Sequence, residues 1–152
     1  MKCLTIMEPY ATLIALGNKR IETRSWKTSF RGRIAIHASK NINKASKEDC
    51  LIAEYLTILQ PDYIQLAKDK KTVYNFDFGK VVAYADLVDC VQMKVLTDEH
   101  AVLSNGLKVE GDELLFGNFE PGRYAWILEN VEKVEAAGEV VKGRLGLWNL
   151  EV

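Results

Sequence analysis

The β-prone segments of this 152-residue chain do not alternate regularly with long helices. This absence of a regular strand–helix alternation restricts the fold more than any other feature. Short apolar and aromatic segments occur at residues 3–6, 33–37, 81–90, 123–131 and 143–150. A doubly wound parallel sheet needs strands and helices in regular alternation, so we do not expect that architecture. Strands interrupted by two helical segments instead favour a mainly β, α+β fold, with a partly closed β-barrel and flanking α-helices.

Local signals predict where the helices lie. Pro9 suits the first turn of a helix, and Gly17 is a natural stop just beyond its end. Residues 45–59 have apolar spacing typical of a second helix, and residues 62–71 are expected to add a helical turn or two. Thr97 is expected to be the N-cap of a further helical turn.

Length and composition indicate one globular domain. The chain is 48% hydrophobic and 27% charged, which is ordinary for a folded protein, and its length fits a single domain over residues 1–152. No apolar run approaches the roughly 20 residues that span a bilayer. Residues 1–6 lack the features of a signal peptide. We therefore predict no membrane partner and a cytoplasmic location.

The cysteines do not suggest a disulfide framework or a metal site. Cys3, Cys50 and Cys90 are odd in number and widely spaced. A zinc site would have to combine them with His37 and His100 from distant parts of the chain. We therefore expect reduced, buried thiols, no metal and no cofactor.

Charge is distributed unevenly along the chain. Residues 18–44 contain eight lysines and arginines against one carboxylate, a net charge of +7. Because the whole chain has a formal net charge of −1, the other segments together carry −8. Such asymmetry within one domain predicts a negatively charged partner.

The stretch from Pro9 to Lys40 carries the most informative pattern. It contains PYA at 9–11, GNKRIETRSW at 17–26 and IHASK at 36–40, and later segments add PGRYAW at 121–126 and KGRLGLW at 142–148. In these residues the chain resembles the ASCH domain family over nearly its whole length. The resemblance implies a PUA-like β-barrel, a single ASCH domain, and recognition of RNA or another single-stranded nucleic acid.

Cations interleaved with aromatic residues are typical of a single-strand binding site. Lysine and arginine attract phosphates and release counterions, and arginine also grips a phosphate or a guanine edge with two hydrogen bonds. Aromatic rings stack on unpaired bases. The predicted nucleic-acid-binding residues are Lys19, Arg24, Trp26, Arg31, His37 and Lys40.

A hydrolase is the main alternative, with Lys19 and Glu22 as its catalytic residues and a modified nucleoside as its substrate. One branch of the ASCH family resembles a small amidohydrolase that deacetylates acetylated cytidine, with the motif G-x-K-T-x-T-x-R and a distant glutamate. The chain keeps the lysine as Lys19 and the arginine as Arg24. Glu22 stands where that motif has its second threonine, and Ser104 falls at the position of the glutamate.

Two further alternatives remain open from the sequence. Glu22 and Arg24 are two residues apart, so they share one face of a strand and favour an internal ion pair over an acid–base role. A ribonuclease using His37 and nearby lysines is the third functional hypothesis.

Trp126 is expected in the core, as is Trp148. The oligomeric state is not indicated.

Overall fold

Ten strands and four short helices make up the part of the chain that a computed structural model describes, residues 1–66, 71–135 and 138–151. In chain order they are β1 (Lys2–Ile6), α1 (Tyr10–Ala15), β2 (Ile21–Arg24), β3 (Gly32–Ala38), α2 (Lys44–Cys50), α3 (Ala53–Leu59), β4 (Ile64–Leu66), β5 (Thr72–Tyr74), β6 (Val81–Leu96), β7 (His100–Leu103), β8 (Lys108–Glu110), α4 (Asp112–Leu115), β9 (Tyr124–Lys133) and β10 (Leu147–Asn149). Eight strands form one mixed sheet, and β4 and β5 form a separate pair. The predicted mainly β, α+β class is confirmed.

Strand β6 is the centre of the sheet because its 16 residues are enough to pair with three other strands. It pairs with β3, β9 and β7, and its register with β9 shifts between Tyr84 and Asp86 and between Leu87 and Asp89. Such bulges bend a strand and increase its twist. The sheet branches at β6: one path runs β10-β1-β3-β6-β7-β8, and the other continues from β6 through β9 to β2, giving β10-β1-β3-β6-β9-β2. The two end strands of this second path are not paired with each other, so a closed barrel is not seen among the described residues.

Helix α1 lies in the crossover between the parallel strands β1 and β3, and its residues 11–15 are all buried. Ala11, Ile14 and Ala15 pack against the sheet, whereas Leu13 packs with residues of α2 and α3. Leu13 and Ile14 are fully buried. Gly17 has a φ of +85°, a conformation that glycine adopts without steric cost, and the Asn18 amide returns to the Leu13 carbonyl at 3.0 Å. The predicted helix and its glycine stop are confirmed, and the turn delivers the chain directly into β2.

Residues 45–59 form two helices, α2 and α3, where the sequence predicted one. Asn43 caps α2, since its side-chain oxygen accepts a hydrogen bond from the Ser46 amide at 2.8 Å. Ile52 is extended, with a ψ of 139°, and this interrupts the helical backbone before α3 begins. Apolar spacing alone did not reveal the break, because Cys50 of α2 and Tyr55 and Leu59 of α3 belong to the same hydrophobic cluster.

Two predicted helical turns are wrong. In residues 62–71, the chain forms β4, which pairs with β5, while residues 67–70 of that prediction lie outside the described residues. Thr97 lies in the tight turn between β6 and β7. Its hydroxyl accepts from the Glu99 and His100 amides, as an N-cap would, but the chain then reverses as a hairpin.

Core positions of the large aromatic residues were predicted correctly. Trp126 is fully buried and Trp148 is 8% exposed. Cys3 and Cys50 are buried and Cys90 is half-buried, all as free thiols. In the described part of the chain, none of the helices is long and apolar enough to cross a membrane.

Candidate functional site

A cleft of about 470 Å³ lies where the ends of β1, α1 and β2 come together. Its walls also include residues after β3 and α4 and the residue just before β9. The lining residues are Thr5, Ile6, Met7, Tyr10, Glu22, Thr23, Arg24, Ser25, Trp26, Ser39, Phe116, Gly117 and Arg123. Volumes of about 300–1,000 Å³ are usual for small-ligand sites. We refer to this cavity as the cleft.

Arg24 is fixed in the cleft by an ion pair within its own strand. Its Nη2 lies 2.9 Å from Glu22 Oε2 and also donates to the Thr5 carbonyl at 2.9 Å. The Glu22 side chain is only 9% exposed, and its other oxygen accepts from the Thr23 amide. Arg24 remains 25% exposed, and its Nη1 makes no hydrogen bond within the described residues. The predicted internal ion pair therefore orients a guanidinium that keeps free donors.

A second arginine, Arg123, enters the cleft from the start of β9, the strand that pairs with β2. Its Nε donates to the Asn118 carbonyl at 3.2 Å, and its Nη2 to the Thr23 carbonyl at 3.4 Å. It is half-buried and, among the described residues, makes no ion pair. These two arginines give the cleft two guanidinium groups against the single carboxylate of Glu22.

Aromatic side chains form another wall of the cleft. Trp26 is half-buried and packs edge-on against the buried Trp126, with ring centroids 4.7 Å apart. The Trp126 indole donates to the Trp26 carbonyl, which fixes the backbone of this loop. Tyr10 donates a short hydrogen bond to the Asp49 carboxylate, and burial raises its pKa. The cleft thus combines fixed cations with an aromatic surface.

Lys19 lies inside the protein, behind the wall of the cleft. Only 1% of the residue is exposed, and its Nζ donates to the Phe116 carbonyl at 2.6 Å. Burial lowers the pKa of Lys19, although the nearby negative charges of Glu22 and Glu113 oppose this. The prediction placed Lys19 at the ligand, whereas this geometry encloses its ammonium group and gives it no surface to offer a phosphate.

His37 is also enclosed, with 1% exposure, and both of its ring nitrogens have hydrogen-bonding partners. Its Nε2 donates to the Val141 carbonyl at 2.8 Å and to the Gly79 carbonyl at 3.0 Å. Its Nδ1 lies 3.1 Å from the Thr5 hydroxyl, which in turn accepts from the Trp148 indole. Both groups that face Nε2 are carbonyls, so Nε2 carries a proton and donates to them, while Nδ1 faces the Thr5 hydroxyl. His37 therefore holds the C-terminal segment in place.

The two remaining predicted residues lie outside the cleft. Arg31 is exposed and donates to the Thr28 and Phe30 carbonyls, with Asp89 at 3.5 Å. Lys40 is exposed and lines a neighbouring cavity of about 330 Å³, which we refer to as the side pocket. The side pocket is lined by Thr5, His37, Ser39, Lys40, Lys142, Gly143, Arg144 and Leu145.

The structure thus brings Arg24 and Trp26 together in one cavity and leaves the other predicted residues enclosed or apart. Sequence reasoning missed Tyr10 and Arg123, although both lie in the segments that resemble the ASCH family. Arg123 immediately precedes β9. Because β9 pairs with β2, Arg123 lies beside the end of β2, in the cleft. Among the described residues, no group of three metal-ligating side chains is found.

Comparison with known proteins places the chain in a family. The sequence model of the ASCH domain matches residues 4–138. Human activating signal cointegrator 1 is 32% identical over 103 residues, which cover 67% of this chain and 16% of the human protein. Mouse activating signal cointegrator 1 is 29% identical over 149 residues, 98% of this chain and 22% of the mouse protein. The chain therefore spans about a fifth of the length of these relatives, and it belongs to the ASCH domain family.

Proposed function

We propose that the chain binds single-stranded nucleic acid, either RNA or DNA, with one nucleotide held in the cleft. The observation that carries the proposal is the meeting of two guanidinium groups and a half-exposed tryptophan in one cavity of about 470 Å³. Family membership supports it, since the resemblance to ASCH domains implies the same class of ligand. Neither line of support depends on the other.

The proposed recognition uses the free donors of the arginines and the face of the indole ring. Arg24 and Arg123 each keep an Nη1 that makes no hydrogen bond to any described residue, and a phosphate or a base edge accepts from such a group. Trp26 offers a stacking surface worth about 1–3 kcal/mol per base. Stacking tolerates every base, so this site favours single strands without requiring one sequence.

The geometry gives less support to the hydrolase and ribonuclease alternatives. An acid–base pair has to reach the ligand. Both oxygens of Glu22 are engaged by Thr23 and Arg24, and the Lys19 ammonium is enclosed against the Phe116 carbonyl. His37 is likewise enclosed and bonded on both nitrogens. These groups support the shape of the cleft, which fits binding better than chemistry.

Fluorescence anisotropy tests the proposal with labelled eight-nucleotide RNA and DNA of the same sequence, across a series of salt concentrations. Arg123→Ala is the test variant, because this side chain braces no buried carboxylate and its loss leaves the Arg24–Glu22 pair intact. Arg20→Ala is the matched control, since Arg20 is exposed and lines neither the cleft nor the side pocket.

The expected result is salt-sensitive binding by the wild-type chain. Arg123→Ala is expected to reduce the slope of log K against log salt by about 0.7, the value for one phosphate on a single strand. Arg20→Ala is expected to bind as the wild type does. Absence of binding to both oligonucleotides at low salt, or equal affinity of the two variants, would refute the proposed cleft. A preference for RNA over DNA would identify 2′-hydroxyl recognition.

A further inference from the structure

The side pocket adjoins the cleft and shares part of its wall. Thr5 and Ser39 line both cavities, so these two residues lie at the boundary between the cleft and the side pocket. The side pocket has a volume of about 330 Å³. Its position makes it the natural continuation of any extended ligand in the cleft.

Three cations line the side pocket, and no carboxylate does. Lys40 comes from the end of β3, while Lys142 and Arg144 come from the segment before β10. All three are exposed, and in the described part of the chain none of them makes an ion pair. Arg31 and Arg33, by contrast, are both paired with acidic side chains. The side pocket therefore concentrates unneutralised positive charge in a chain whose net charge is −1.

The segment that carries two of these cations is fastened to the sheet. The Val141 carbonyl accepts from His37 at 2.8 Å, and the Val141 amide donates to the Gly79 carbonyl at 2.7 Å. Gly143 approaches β1 so closely that a Cβ there would lie 2.9 Å from Thr5 Oγ1. A side chain at this position would force Thr5 or the segment to shift, and Lys142 and Arg144 lie on either side of the contact. Their backbone is positioned before any ligand arrives, which reduces the entropy cost of binding.

An exposed leucine stands at the rim of the same pocket. Leu145 is 99% exposed, so its side chain has almost no contact with the protein. An apolar side chain in that position gains burial when the flat face of a base or a sugar covers it. Cations around a hollow with an apolar rim match the alternating phosphate and base of a nucleic-acid strand.

We infer that the side pocket is a phosphodiester subsite, in which Lys40, Lys142 and Arg144 hold the phosphate that flanks the nucleotide in the cleft. The inference rests on the proposed function, and it adds the C-terminal segment to the binding surface. His37 lines the side pocket but is only 1% exposed, and its hydrogen bond to the Val141 carbonyl holds the segment that carries Lys142 and Arg144. Lys142 and Arg144 lie beyond residue 138, where the match to the ASCH domain model ends.

The test compares two double variants in the anisotropy assay with the eight-nucleotide RNA. Lys142→Ala/Arg144→Ala removes two cations of the side pocket. Lys94→Ala/Lys108→Ala is the control with the same loss of charge, since both lysines are exposed and line neither the cleft nor the side pocket. Thermal unfolding by circular dichroism checks that each variant is folded. Lys40→Ala is a second, independent variant, from a different segment of the chain.

The expected result is a loss of salt slope that only the side-pocket variants show. Because the three cations hold one phosphate, Lys142→Ala/Arg144→Ala reduces the slope by about 0.7, the value for one phosphate on a single strand, and Lys40→Ala reduces it by a smaller amount. The control keeps the wild-type slope. Equal slopes for the side-pocket variants and the control, with binding retained, would overturn the subsite and leave the cleft standing. Absence of binding by the wild-type chain would overturn the proposed function and the subsite together.

Discussion

Replacing Glu8 by glutamine is expected to remove a pH dependence from the stability of this protein. Glu8 has no exposed surface, and its two oxygens accept from the Thr12 amide at 2.8 Å and from the Thr12 hydroxyl at 2.6 Å. Burial raises the pKa of Glu8 to about 7, against the lowering effect of the Thr12 hydrogen bonds, and the charge of Asp77 raises it further. The carboxyl group is therefore protonated in the folded protein at pH values where the unfolded chain has released that proton.

The sign and size of the effect follow from this difference in pKa. Between pH 4.5 and about 7 the folded state holds one more proton than the unfolded state, so the free energy of unfolding falls as the pH rises through this window. The loss is complete above the folded pKa. At about 1.4 kcal/mol per pH unit, the interval from 4.5 to about 7 corresponds to about 3 kcal/mol. Glutamine has a similar shape, can bond to both Thr12 groups and does not ionise.

Urea unfolding at pH 5 and pH 8, followed by tryptophan fluorescence, measures this contribution. The wild-type chain is expected to lose about 2.5 kcal/mol more between the two pH values than Glu8→Gln does, because pH 5 already lies inside the window. Glu48→Gln is the control, because that carboxylate is exposed on α2 and its variant should follow the wild type. Parallel pH dependences for the wild type and Glu8→Gln would refute the argument that burial keeps this carboxyl group protonated.

Two further predictions concern the cleft. Lys19→Met should leave nucleic-acid affinity within about twofold of the wild type in the anisotropy assay, because the enclosed ammonium makes no contact with the ligand; a loss as large as that of Arg123→Ala would mean that Lys19 does reach it. Trp26→Leu should weaken binding by about 1–3 kcal/mol, roughly 5- to 150-fold, by removing one stacking surface, and unchanged affinity would exclude Trp26 from the site.

Local signals in the sequence were enough to predict the elements that depend on near neighbours. Helix α1 begins after Pro9 and ends before Gly17, as expected, because the end of a helix is determined by residues within one or two turns. The two helices within residues 44–59 were not predicted, because apolar spacing does not distinguish a continuous helix from two short ones. The antiparallel pair of β4 and β5 was not predicted either, because a short apolar segment fits a helical turn as well as a strand. The three partners of β6 are long-range choices that no local pattern encodes.

The same limit explains which site residues the sequence identified. Arg24 and Trp26 lie in a segment whose cations and aromatic residues signal a binding surface directly. The enclosure of Lys19 depends on Phe116, which is 97 residues away, and that of His37 on Val141, which is 104 residues away. Lys142 and Arg144 fall outside the basic segment at 18–44, and only the folded chain brings them beside Lys40.

The most direct test of the cleft is the response of the three tryptophan indoles to an oligonucleotide, followed as their N–H signals in a two-dimensional ¹H–¹⁵N NMR titration. The half-exposed Trp26 indole is expected to shift as single-stranded RNA is added. The Trp126 and Trp148 indoles, which are buried and hydrogen-bonded within the protein, should move much less. Saturable binding that leaves the Trp26 signal unmoved would contradict the placement of the nucleotide in this cleft.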